Sequence, residues 1–114
     1  MNNSESVWFM ALFIITGIAM VSISIPLVLR MVKPNYWYGF KTQKTLSSEP
    51  VWYKANVFAG GLMLAFGIIY ISASVKLCFL LGENPLAYAL TCTSVLVAGL
   101  LVLTLLCFHY LRSL

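Results

Sequence analysis

The 114-residue chain is 61% hydrophobic, has only 9% charged residues and carries a formal net charge of +4. Soluble domains run near 45–50% apolar and about 25% charged, so this chain has too few charged side chains to coat a water-soluble fold. Disorder is excluded by the opposite excess, and the length suits a single membrane domain over residues 1–114.

The first predicted element is a transmembrane helix over Val7–Leu29, which contains no Lys, Arg, Asp or Glu. At about 1.5 Å per residue it is long enough to cross about 30 Å of hydrocarbon. The flank Met1-Asn2-Asn3-Ser4-Glu5 lacks the basic start of a signal peptide, and the apolar run is too long for one, so a permanent helix is expected. Thr16, Met20 and Ser24 recur at four-residue spacing beside Gly17, a stripe suited to helix packing.

The connection Arg30–Lys54 carries Arg30, Lys33, Lys41, Lys44 and Lys54 against Glu49 alone. Lys/Arg bias in short loops places it on the cytoplasmic side. With three spans, the amino terminus is then outside and the carboxyl terminus, with Arg112, inside. The positive charge therefore reports topology and affinity for anionic lipid, and gives no reason to expect nucleic-acid binding. Lys33, Lys44 and Lys54 are candidate lipid head-group contacts, and Lys41 completes a cationic collar. Pro34 opens the loop, and Tyr36-Trp37-Tyr38 suits the membrane–water boundary. Ser47 or Ser48 is placed to cap a short interfacial helix with Pro50 in its first turn, carrying Trp52 and Lys54 along the interface.

Ala55–Val75 is the second uncharged run, and its helix is predicted to reach Leu81 with Lys76 extending to the outer interface. On a helical projection Trp52, Asn56, Gly60, Met63, Gly67, Tyr70 and Ser74 share one face. That face either packs against protein or lines a cavity open to the cytoplasm. Gly82-Glu83-Asn84-Pro85 predicts a tight hairpin, with Gly82 left-handed, Asn84 as cap and Pro85 in first position. A third span follows over 86–110, with Ala87, Thr91, Ser94 and Ala98 as its packing stripe. The expected fold is all-α, a polytopic membrane protein with transmembrane helices about 7–29, 55–81 and 86–110.

Catalysis finds little support. Glu5, Glu49 and Glu83 lie in separate segments, so no carboxylate pair forms. His109 is alone in the last turn of the third span, and Cys78, Cys92 and Cys107 lack metal-ligand spacing, reading instead as buried thiols. No catalytic residue, metal or cofactor is expected.

Local chemistry is concentrated in the loop. Gly39 permits a positive φ or a close approach. Asn56, near the membrane boundary, needs a loop carbonyl or amide as partner, and Trp52 can anchor at the interface through its indole N–H. The run Pro34-Asn35-Tyr36-Trp37-Tyr38-Gly39-Phe40-Lys41-Thr42, then Thr45-Leu46, Trp52, Asn56 and Gly60, resembles the signature segment of the SdpI-type immunity family of bacterial membrane proteins, in a short single-module form. Lys41 stands where that family usually has Arg, and Gln43 where it often has Pro. The resemblance implies a protein of the bacterial cytoplasmic membrane that confers tolerance to a membrane-active antimicrobial peptide. It also implies a cytoplasmic loop that recruits a regulator. Asn35, Gly39, Lys41, Thr42, Thr45, Trp52, Asn56 and Gly60 would then be the ligand- or partner-binding residues. The alternative is a small accessory subunit of a larger membrane complex, with the small-residue stripes of the first and third spans facing other proteins; the partners to consider besides the bilayer are other membrane subunits or, as a homo-oligomer, further copies of the chain.

Overall fold

The computed structural model describes residues 4–114, and over these the chain is helical with no strand. Four helices follow in order: α1 (Ser4–Val28), α2 (Gln43–Ser47), α3 (Glu49–Leu81) and α4 (Pro85–Arg112). α1, α3 and α4 are the three expected spans, each long and apolar enough to cross a membrane. Met1-Asn2-Asn3, part of the flank weighed against a signal peptide, lies outside the described residues.

α1 contains Pro26 and ends two residues later, as expected where a missing N–H and a bulky ring disrupt the helix ladder. Arg30 then takes φ 60°. Its N–H returns to the Leu27 carbonyl at 3.2 Å and that of Met31 to Pro26 at 2.9 Å, the bond pair of a Schellman end. A side chain in this left-handed conformation costs about 1–2 kcal/mol. The Arg30 guanidinium lies 5.0 Å from the Tyr53 ring centre, an attraction that offsets part of that cost.

The loop departs from expectation in two respects. Ser48 precedes a helix with Pro50 in its first turn, but it makes no side-chain cap bond, and the helix continues unbroken to Leu81. The separate short helix is α2, capped by Thr42. α3 is thus about 50 Å long at 1.5 Å per residue, against about 30 Å of hydrocarbon, so its first turns have length to extend beyond the core. Trp52 does not anchor at an interface: it is fully buried under the loop.

The α3 face seen in projection turns inward along nearly its whole length, with Trp52, Asn56, Gly60, Gly67, Tyr70 and Ser74 all buried. Its middle section meets α1. A Cβ on Gly67 would lie 3.1 Å from the Gly17 carbonyl oxygen, and one on Gly17 the same distance from that of Gly67. Gly60 approaches the Ser24 carbonyl in the same way. Without side chains at these points the two backbones come close enough for dense packing.

Beyond Gly67 the contacts become polar and aromatic. The Tyr70 hydroxyl donates to Cys92 O at 3.1 Å and the Tyr88 hydroxyl to Ser74 O at 2.8 Å. Phe13 meets both tyrosine rings edge-on. The Ser6 hydroxyl donates to Gly82 O at 2.6 Å, tying α1 to the hairpin. Asn84 caps α4 through Ala87 N–H as predicted, whereas Gly82 is right-handed helical (φ −62°), because its N–H still bonds Cys78 O.

On α4 the predicted stripe is the inward line only in part, with Ala87 and Thr91 half-buried. Ser94 and Ala98 are exposed, while Tyr88, Cys92, Cys107 and Leu111 face inward. The reason is volume: α4 stands off from α1, so rings and thiols fill the gap where small residues would leave it empty. Gly99 marks the close contact with α3, since a Cβ there would fall 2.0 Å from Phe66 Cζ. The three cysteines are buried and unpaired to one another.

Candidate functional site

The three-span topology brings the end of α1, the loop, the start of α3 and the end of α4 together. Six of the seven Lys and Arg residues lie at this end, with Glu49 as one of the three carboxylates.

The loop is folded by its own polar side chains. Asn35 Oδ1 accepts from the N–H of Trp37 (2.8 Å) and of Tyr38 (2.6 Å), and its Nδ2 donates to Lys33 O (2.6 Å) and Tyr38 O (3.1 Å). This Asx-type turn sends the Tyr38 hydroxyl back to donate to Ile23 O on α1. Gly39 follows at φ +113°, where a Cβ would meet Asn56 Oδ1 at 2.7 Å and the Trp52 ring at 3.1 Å. Glycine is required there on both counts.

Asn56 reads the backbone of Phe40 like a paired strand. Its Oδ1 accepts the Phe40 N–H at 2.5 Å, and its Nδ2 donates to Phe40 O at 3.3 Å and Trp52 O at 3.0 Å. The Trp52 indole N–H donates to Val32 O at 2.8 Å. Thr42 and Thr45 form a reciprocal capping box, and the Thr45 hydroxyl also reaches Phe40 O at 3.1 Å. Every buried side-chain nitrogen and oxygen among the described residues has a partner, as a water-poor environment demands.

Two further contacts fasten the loop to α4. Lys44 Nζ donates to Leu111 O at 2.8 Å, a cation on the carbonyl end of a helix. Phe40 packs edge-on against Phe108, with centroids 5.2 Å apart.

Seven of the eight signature residues therefore have a part in holding the fold. Asn35, Gly39, Thr42, Thr45, Trp52 and Asn56 fold the loop, and Gly60 packs α3 on α1. Lys41 differs: it is exposed and makes no hydrogen bond or ion pair among the described residues. Tyr36 and Trp37 beside it are 78% and 90% exposed. Of the head-group candidates, Lys33 and Lys54 are exposed, and Lys44 is exposed but engaged with α4. Sequence reading assigned no role to Phe40, whose backbone and ring are central. Its run of neighbours carries no signal that its amide would be the one captured. On the α3 face, Met63 lines a cavity of about 260 Å³ beneath the loop, whose exposed lining residues, Ile23 and Thr104, lie on α1 and α4.

Fold and site together define a three-span helical membrane protein whose basic connection is locked over one end of the bundle. The profile of the SdpI/YfhL protein family matches residues 31–110, which takes in the loop, α3 and nearly all of α4. The chain belongs to that family. No curated protein and no solved structure matches it.

Proposed function

We propose that the chain is an immunity-type protein of the bacterial cytoplasmic membrane that gives its host tolerance to a membrane-active peptide. In this reading the loop faces the cytoplasm, with the amino terminus outside, because Arg30, Lys33, Lys41, Lys44 and Lys54 favour that side. Family membership supports it. The observation that carries it is Lys41, the one signature side chain that the fold does not use. A cation held out from a loop fixed to all three long helices is a preorganised contact for a peptide carboxylate, a lipid phosphate or an acidic patch on a regulator. The reading assigns no catalytic role and no cofactor to the chain.

Survival of a sensitive strain expressing the chain, measured against the peptide, is the test. Wild type should protect, and Lys41→Ala should lose protection at unchanged membrane level, whereas Lys41→Arg should keep it. Absence of protection by wild type refutes the reading. Full protection by Lys41→Ala removes Lys41 from it.

A second reading, an accessory subunit of a larger assembly, has its own observation. An apolar groove of about 540 Å³ runs between α3 and α4, lined by residues such as Phe66, Ile69, Val95 and Leu106. Mass measurement after mild-detergent purification separates the readings: a stoichiometric foreign subunit favours the second, and a monomer or symmetric oligomer favours the first.

A further inference from the structure

The loop roofs the bundle end without filling it. The cavity of about 260 Å³ beneath it is walled by Leu27 of α1, Met63 of α3 and Cys107 of α4, with Phe40 of the loop above. Two lining residues are exposed, Ile23 on α1 and Thr104 on α4, so the mouth lies between these two helices. α1 and α4 are also the long-helix pair that packs least closely. The opening is therefore lateral, toward hydrocarbon when the chain spans a bilayer.

The interior offers water little. The Thr104 hydroxyl is already bonded to Leu100 O at 2.8 Å, and most of the remaining wall is aliphatic, aromatic or sulfur, so the space favours an apolar occupant. Its volume falls just below the roughly 300–1,000 Å³ of drug-sized ligand sites, which suits a segment of flexible chain. Charge selects what that chain is attached to. Lys41 directly follows the roofing Phe40 and is exposed, at the end of the molecule holding six of the seven basic residues.

We propose that the cavity holds one acyl chain of an anionic phospholipid, entering between Ile23 and Thr104, with its phosphate at Lys41. The proposal rests on the cavity and the charge and goes beyond the immunity reading, so either can fail alone. Free phosphate supplies the charge without the chain, and a zwitterionic lipid supplies the chain without the net charge.

Native mass spectrometry of the delipidated full chain tests it, by titration with dioleoyl phosphatidylglycerol, dioleoyl phosphatidylcholine or inorganic phosphate. One phosphatidylglycerol should saturate before any other lipid adds, about fivefold tighter than phosphatidylcholine, the preference one lysine near an anionic surface provides. Thr104→Phe, which plugs the mouth from an exposed position, should abolish that first site, and Ala59→Leu should do so from inside. Lys41→Ala should lower phosphatidylglycerol to the phosphatidylcholine level and leave the latter unchanged. Helicity by circular dichroism verifies each variant's fold, and Thr104→Phe keeps the test valid if Ala59→Leu does not fold. A ladder of equally weak lipids, a first site that survives Thr104→Phe, equal affinity for the two lipids, or phosphate binding as tightly as phosphatidylglycerol would each overturn the proposal.

Discussion

Asn56→Ala is the sharpest perturbation of the locked loop. The Phe40 N–H donates to Asn56 Oδ1, while Phe40 O accepts from both Asn56 Nδ2 and the Thr45 hydroxyl. Truncation therefore strands one half-buried N–H and leaves the carbonyl with a partner. An unsatisfied buried donor costs about 1–3 kcal/mol, and the void left by the amide moves the total to the upper half of that range, about 2–3 kcal/mol. At 1.4 kcal/mol per tenfold, the open-loop population rises about 30- to 140-fold. Trypsin cleavage after the exposed Lys41 and Lys44, measured in lipid nanodiscs, reads that population when opening and closing are fast relative to cleavage. Cleavage should accelerate by that factor while the thermal stability of the three-span bundle changes little. Asn56→Asp should open the loop at least as much, since a carboxylate keeps the acceptor but faces Phe40 O and Trp52 O with no proton to give. Acceleration of under about threefold, or an equal loss of bundle stability, would refute the view that Asn56 acts on the loop.

Gly39→Ala should open the same loop in the same cleavage assay, because φ +113° and an oxygen 2.7 Å from the new Cβ leave it no relaxed conformation; a cost of about 1–3 kcal/mol is expected. Gly67→Val should lower the thermal midpoint of the bundle by forcing α1 off α3, an overpacking of about 1–3 kcal/mol, whereas Gly61→Ala, which meets nothing within 4 Å, should be neutral or stabilising. Tyr88→Phe removes the hydroxyl that donates to Ser74 O and should cost about 0.5–1.5 kcal/mol in detergent unfolding without changing loop cleavage.

The spans were legible because each is defined by the absence of charge over twenty or more residues, a signal that needs no tertiary context. The inward face of α3 was legible for a related reason: Gly60, Gly67 and Ser74 are conspicuous among aliphatic neighbours. α4 misled because a small-residue stripe marks close approach, and α4 approaches α3 closely at Gly99 and α1 hardly at all. Its buried line is built from Tyr88, Cys92, Cys107 and Leu111, which no simple period separates from the lipid-facing leucines. At the loop, Asn56 announced its need for a partner, but not which backbone group would answer. Phe40 was chosen by the turn at Asn35, which is local, acting together with the φ of Gly39, which the close approach of Asn56 and Trp52 imposes.

α3 acts on three different structures in sequence along one face, and this separates what its residues can do. Trp52 and Asn56 hold Val32 and Phe40, so they govern the loop. Gly60 and Gly67 receive α1, so they govern the bundle. Tyr70 and Ser74 engage Cys92 and Tyr88, so they govern how α4 closes the hairpin end. Met63 falls inside the second section, between the two close approaches to α1 at Gly60 and Gly67, and there it lines the cavity. A bundle with α4 packed as tightly on α1 as α3 is would fill the space. The loose α4 that defeats the stripe argument is therefore what leaves the space beneath Phe40, and Lys41, the next residue along the loop, is exposed and has no part in holding the fold.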